Sequence, residues 1–172
     1  MNLQSNDFEL FGLPEQFEQD PARIDARWKD LQREAHPDRF ANQGAAAQRI
    51  AMQWSVRINE AYRRLKDPLA RAAYLCELRG APIEAESNTA MPAEFLVEQL
   101  EWREALEEAR GLGEVEHIQE GLARARAAAL QQMARLLDDE GDAKAAARQV
   151  RALMFVERFG RDVEARAEQL GQ

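Results

Sequence analysis

His36-Pro37-Asp38 sets an imidazole and a carboxylate on either side of a proline. The pyrrolidine ring fixes its own φ and pushes the preceding residue out of helical backbone. The tripeptide therefore predicts a stiff turn that displays both polar side chains. An exposed carboxylate on rigid backbone can accept a charge-assisted, bidentate hydrogen bond from a partner's arginine. A second chemistry would make His36 and Asp38 the acid–base pair of a small hydrolase. Residues flanking a proline readily face apart, however, and neither a nucleophile nor a phosphate-cradling glycine loop accompanies them. The plainest reading is an inter-helix turn in which the two side chains merely cap helix ends.

Other reactive groups are scarce. Cys76 is the one cysteine and His117 the one further histidine among 172 residues. A lone thiol forms no internal disulfide and, with two histidines, makes a poor metal cage, so the sequence predicts no bound metal and no cofactor. Cys76 follows Tyr74-Leu75 and reads as a small core residue. The 23 Lys+Arg against 31 Asp+Glu give a net charge of -8, which argues against a nucleic-acid binder, since phosphates need clustered cations. No apolar run approaches the roughly 18 residues of a membrane span. The N-terminus lacks the basic and apolar segments of a secretory signal and the arginines of a transit peptide, so a cytoplasmic, non-membrane protein is expected.

The elements that must hold the turn read as helices throughout. There is no NG or DG hairpin and no sustained alternation of β-branched residues. A short helix is predicted from Asp7 to Phe11, stopping at Gly12-Leu13-Pro14. Asp20-Pro21 supplies an N-cap and a first-turn proline for a second helix, which presents Ile24, Trp28 and Leu31 on one side and ends by Ala35. A third runs from about Ala45 to Leu65 with Ile50, Trp54, Ile58, Ala61 and Leu65 on one stripe. Asp67-Pro68 caps a fourth that ends at Gly80. Residues 1–80 carry equal numbers of acidic and basic groups, so the whole acidic excess lies beyond them. Pro82, Ser87 and Asn88, with Gly80 and Pro92 at either end, make 81–91 a linker candidate between an N-terminal module, 1–80, and a C-terminal one, 92–172. Three antiparallel helices are expected in the latter: Pro92 to Arg110, Glu114 to about Leu137, and Asp142 to about Leu170.

The first of these three carries a second feature. At about 100° per residue, Phe95, Trp102 and Leu106 share one direction, whereas Leu96, Val97, Leu100, Glu101, Glu104 and Glu108 fall about 100° to 240° away. Three aliphatic side chains thus stand among carboxylates, either as a broad packing face or as a docking surface in which apolar area supplies affinity and charge supplies steering. Phe155 likewise points about 160° from the stripe of Leu153 on its helix, with docking and packing equally open.

The helix before His36, the His36-Pro37-Asp38 turn and the run Asn59-Glu60-Ala61-Tyr62-Arg63-Arg64-Leu65-Lys66-Asp67-Pro68-Leu69-Ala70-Arg71 together resemble the J-domain, the helical hairpin through which co-chaperones stimulate heat-shock-type ATPase chaperones. Phe8-Glu9-Leu10-Phe11-Gly12-Leu13-Pro14, Phe40, the run Pro92-Ala93-Glu94-Phe95-Leu96-Val97-Glu98-Gln99-Leu100-Glu101-Trp102-Arg103-Glu104 and the helical C-terminal half narrow the likeness. No Gly/Phe-rich stretch or zinc-binding cysteine cluster appears. The combination is similar to the HscB-type J-domain co-chaperones of iron–sulfur cluster biogenesis. That resemblance implies an all-α protein, a J-domain hairpin followed by a three-helix bundle. It implies a non-enzymatic adaptor between an HscA-like ATPase chaperone and an IscU-like iron–sulfur scaffold. On this reading His36, Pro37 and Asp38, with Arg23, Arg27, Lys29 and Arg33, contact the chaperone. Leu96, Val97, Leu100, Glu101, Glu104, Glu108 and Phe155 contact the scaffold, Val97 replacing a methionine. A J-protein serving another client and chaperone is the alternative.

Overall fold

The computed structural model describes residues 2–171 and is all-α among them. The chain divides into two compact units within one helix, between Leu75 and Cys76. In the first unit α1 spans Asp7–Phe11, α2 Pro21–Ala35 and α3 Ala45–Lys66, and α4, Pro68–Leu78, begins there. Local signals set these bounds. Asn6 accepts a hydrogen bond from the Glu9 N–H at the start of α1, and Gly12 (φ 64°) stops it in backbone that side chains disfavour. Asp20 caps α2 by accepting from the Ala22 N–H, ahead of Pro21.

The hairpin of α2 and α3 closes over Ile24, Leu31, Ile58, Ala61 and Leu65. The predicted stripe on α3 holds for its second half only. Ile50 is 53% exposed, Trp54 is half-buried, and Ala51 is the buried residue of that turn. At that turn the covered face of α3 is the one carrying Ala51, and Ile50 stands on an uncovered one. Asp7, fully buried, is held by Arg57 (2.7 Å) and, through two hydrogen bonds of 2.6 and 3.0 Å, by Arg64. Two opposing guanidiniums offset what burial of one carboxylate costs, and the carboxylate in turn raises the Arg64 pKa.

The second unit contains α5 (Ala93–Glu108), α6 (Leu112–Ala134), a π-helical turn (Arg135–Asp139) and α7 (Ala143–Leu170). The π turn occupies the end predicted to be ordinary helix, and both Leu136 and Leu137 are buried in it. Gly121 lets α6 approach α5 closely, since a Cβ there would sit 3.2 Å from Trp102 Nε1. α7 packs against both other helices, which is why its buried residues spread over so much of its circumference. The segment 81–91 is strapped down: Ala81 and Ile83 are buried, and the Arg151 guanidinium donates to the carbonyls of Pro82, Ile83 and Ala90.

Cys76 is completely buried, and desolvation pushes its thiol up to about 11. An unfolded thiol ionises near pH 8.5, so folding holds a proton that the unfolded chain has lost. The contribution is complete below about pH 8.5 and falls as pH rises towards 11. Melting curves of wild type and Cys76→Ala between pH 8 and 11 should show wild type losing stability faster. A parallel decline in both proteins would contradict this.

Candidate functional site

α2 ends at His36, whose extended backbone (φ -60°, ψ 130°) is what the following proline imposes. Pro37–Phe40 then form one 3-10 turn, tied by the Arg39 N–H to the His36 carbonyl at 3.0 Å and by Arg39 Nη1 to the Arg33 carbonyl at 3.2 Å. His36 Nδ1 accepts a hydrogen bond from the Asp38 N–H at 3.2 Å. Nδ1 is therefore spoken for by backbone in the neutral ring, and the Asp38 carboxylate stands 3.7 Å from it, beyond hydrogen-bond distance. That arrangement is a capped turn rather than a proton-transfer dyad. The Asp38 side chain is 93% exposed and that of His36 is 56% exposed. A carboxylate with free lone pairs, on backbone fixed at both ends, is built to receive a donor from outside.

Behind the turn, polar contacts lock the hairpin in register. Asn59 Oδ1 accepts from Trp28 Nε1 at 2.9 Å and from Gln32 Nε2 at 2.6 Å, while the Trp28 and Tyr62 rings stack at 4.7 Å. Lys66 and the Tyr62 hydroxyl both donate to Asp25 Oδ1, and together hold its carboxyl below the usual range. Arg71, buried on α4, donates to the Phe17 carbonyl and lies over the Phe17 ring. Asn59, Tyr62 and Arg71 belong to the motif read in the sequence, and their structural work is to brace the hairpin.

The four basic residues of α2 separate. Arg23 and Lys29 are exposed and form no ion pair among the described residues; Arg33 is exposed but paired with Asp30. Arg27 is half-buried and donates through Nε to the Phe11 carbonyl at 2.8 Å, tying α1 to α2. It is the member most committed to the fold.

On α5, Leu96, Val97 and Leu100 are 48%, 58% and 61% exposed, with Glu101, Glu104 and Glu108 exposed beside them. Phe95 and Ala109 are the buried residues of that helix region, and Trp102 and Leu106 are half-buried. Of the two readings left open for Phe155, packing is what its burial shows. It is 5% exposed, with its ring edge-on to Phe95 (5.8 Å), stacked on Phe159 (5.5 Å) and covered by the Arg103 guanidinium at 5.3 Å. The reason is that α7 buries two faces, one towards α5 and one towards α6, so a residue opposite one stripe falls on the other. The covering arginine was not among the sequence candidates; the only sequence signal for it is a basic residue within an otherwise acidic helix.

Residues 91–164 match the family described as the HSCB C-terminal oligomerisation domain. The chain is 49% identical to a protein named co-chaperone protein HscB homolog from Burkholderia multivorans, over 99% of this chain and 98% of that protein. It is also 49% identical to the protein of the same name from Ralstonia nicotianae, over 90% of each. Among solved structures it is similar to the chaperone HscB from Vibrio cholerae, with a TM-score of 0.78 at 34% identity over 96% of this chain and 99% of that one. The human co-chaperone HscB shares the fold, with a TM-score of 0.87 at 23% identity over 96% of this chain and 83% of that one.

Proposed function

The chain belongs to the HscB family of co-chaperones, and from that premise we propose that it brings an IscU-like iron–sulfur scaffold protein to an HscA-like ATPase chaperone in the cytoplasm. Its J-domain turn stimulates the chaperone's ATP hydrolysis, and its C-terminal bundle holds the scaffold. The hydrolytic site is the chaperone's; this chain contributes binding energy and no catalytic group. The observation that carries the reading is the exposed Asp38 carboxylate at the end of a braced hairpin, in a chain whose α5 also exposes three aliphatic residues among carboxylates.

In mechanism, Asp38 accepts a bidentate bond from a chaperone arginine, with Lys29, Arg23 and Arg33 steering the approach through long-range attraction. Pro37 fixes the backbone that carries the carboxylate, so little backbone entropy is lost on docking. Stimulation is then a coupling between two chaperone states, one of which accepts the turn better than the other. Leu96, Val97 and Leu100 supply apolar contact to the scaffold, and Glu101, Glu104 and Glu108 set association rate and partner choice. Phe155 belongs to this surface through the Phe95–Phe155–Phe159 cluster that seats α5, rather than by exposing its own ring.

Calorimetric titration of cluster-free scaffold into the protein at two ionic strengths tests the scaffold half. One-to-one binding that weakens with salt, and a negative heat-capacity change from apolar burial, are expected. Absence of binding would favour a J-protein serving a different client.

A further inference from the structure

In the acidic half of the chain, three cations gather around one concavity. Gly80, Ala81, Pro82, Glu84, Asn88 and Ala90 form one wall of a cavity of about 260 Å³, and Lys144, Ala147, Arg148 and Arg151 of α7 form the other. Arg151 is 6% exposed, and its three bonds all go to backbone carbonyls, those of Pro82, Ile83 and Ala90. A guanidinium has five N–H donors, so two remain uncommitted. The three carbonyl dipoles answer part of its hydrogen bonding and none of its charge, and a buried cation without a counter-ion is costly. Lys144 and Arg148 likewise form no ion pair among the described residues. Glu84 is the only carboxylate lining the cavity, and it stands on backbone with φ 48°, the one non-glycine residue of positive φ among the described residues.

We propose that this cavity is a site for a compact oxyanion of the phosphate class, bound by Lys144 and Arg148 and by the free N–H donors of Arg151. The charge balance around the cavity is three cations to one carboxylate, in a half of the chain that is otherwise strongly acidic. A dianion there meets a lining of net positive charge. The volume suits a tetrahedral anion with part of its hydration shell, and the carbonyls held by Arg151 keep the strap 82–90 in place around it. The site shares no residue with the Asp38 turn or with the exposed face of α5, so it stands or falls independently of the scaffold and chaperone reading.

Inorganic phosphate and ADP are titrated separately into the full-length protein at low ionic strength, followed by phosphorus NMR and by melting temperature, with sodium chloride of matched ionic strength as control. Saturable one-to-one binding of phosphate, with a rise in melting temperature that chloride does not reproduce, is expected. Phosphate binding as tightly as ADP would make the free anion the ligand; much tighter ADP binding would make it the phosphate end of a nucleotide. Lys144→Ala/Arg148→Ala, both at exposed side chains, should weaken binding tenfold or more with folding retained, and Glu84→Gln should tighten it. Arg151→Met loses the strap as well and is judged only by its melting curve. No saturable binding, an equal effect of chloride, or unchanged affinity in the Lys144/Arg148 double variant would overturn the proposal.

Discussion

Asp38→Asn is expected to bring chaperone ATP hydrolysis back to its unstimulated rate while the protein melts close to wild type. The Asp38 side chain is 93% exposed and accepts no hydrogen bond within hydrogen-bonding distance from His36, so the fold loses almost nothing. Surface changes of this kind typically alter stability by less than about 0.5 kcal/mol. At the interface the balance is opposite. Removing one partner of a desolvated charge pair costs about 2–5 kcal/mol, roughly 30-fold or more in the affinity of the stimulated state. His36→Gln should be nearly as severe, because it removes the Nδ1 acceptor that fixes the Asp38 N–H. A steady-state phosphate-release assay with a melting curve on each variant reads both quantities. Unfolding of either variant, or full stimulation by it, would remove the turn from the mechanism.

Phe155→Ala and the triple variant Leu96→Ala/Val97→Ala/Leu100→Ala should fail in different ways. Phe155 fills the seat between α5 and α7, and truncating such an aromatic costs about 3–5 kcal/mol of stability. Its scaffold affinity should fall because α5 is displaced, and Phe155→Leu should recover most of both losses. The triple variant removes side chains that are about half exposed, so denaturant unfolding should stay near wild type. Yet apolar anchors at the centre of an interface are where binding energy concentrates, so its scaffold affinity should drop by about 100-fold or more. Glu101→Gln, Glu104→Gln and Glu108→Gln should chiefly slow association and flatten its salt dependence. If Phe155→Ala were as stable as wild type, the ring would be a direct contact after all.

The helices were legible because their ends are marked locally. Asp20-Pro21, Gly12 and Asp67-Pro68 are capping signals that act within one turn, and α1, α2 and α3 stop within a residue or so of where those signals place them. Turn geometry at His36-Pro37-Asp38 followed for the same reason, since proline acts on its own neighbours. What periodicity could not tell was which faces find partners. Ile50 has the spacing of a core residue but stands on an uncovered face of α3, while Phe155 lies off one stripe yet on a second contact face. The buried Asp7 and Arg151 were equally hidden. Each depends on groups fifty or more residues away, brought together only by the fold. The helical wheel of α5 placed three aliphatic residues among carboxylates but left packing and docking open; the fold leaves all three about half exposed.

If one chain couples two separable surfaces, the chaperone's ATPase rate with and without scaffold will register each of them. Wild type should stimulate the HscA-like chaperone alone and stimulate it further when scaffold is added. The Leu96→Ala/Val97→Ala/Leu100→Ala variant should keep the first effect and lose the increment that depends on this protein's binding to scaffold, whereas Asp38→Asn should lose both. An undiminished scaffold-dependent increment with the triple variant, or stimulation by Asp38→Asn, would contradict the coupling.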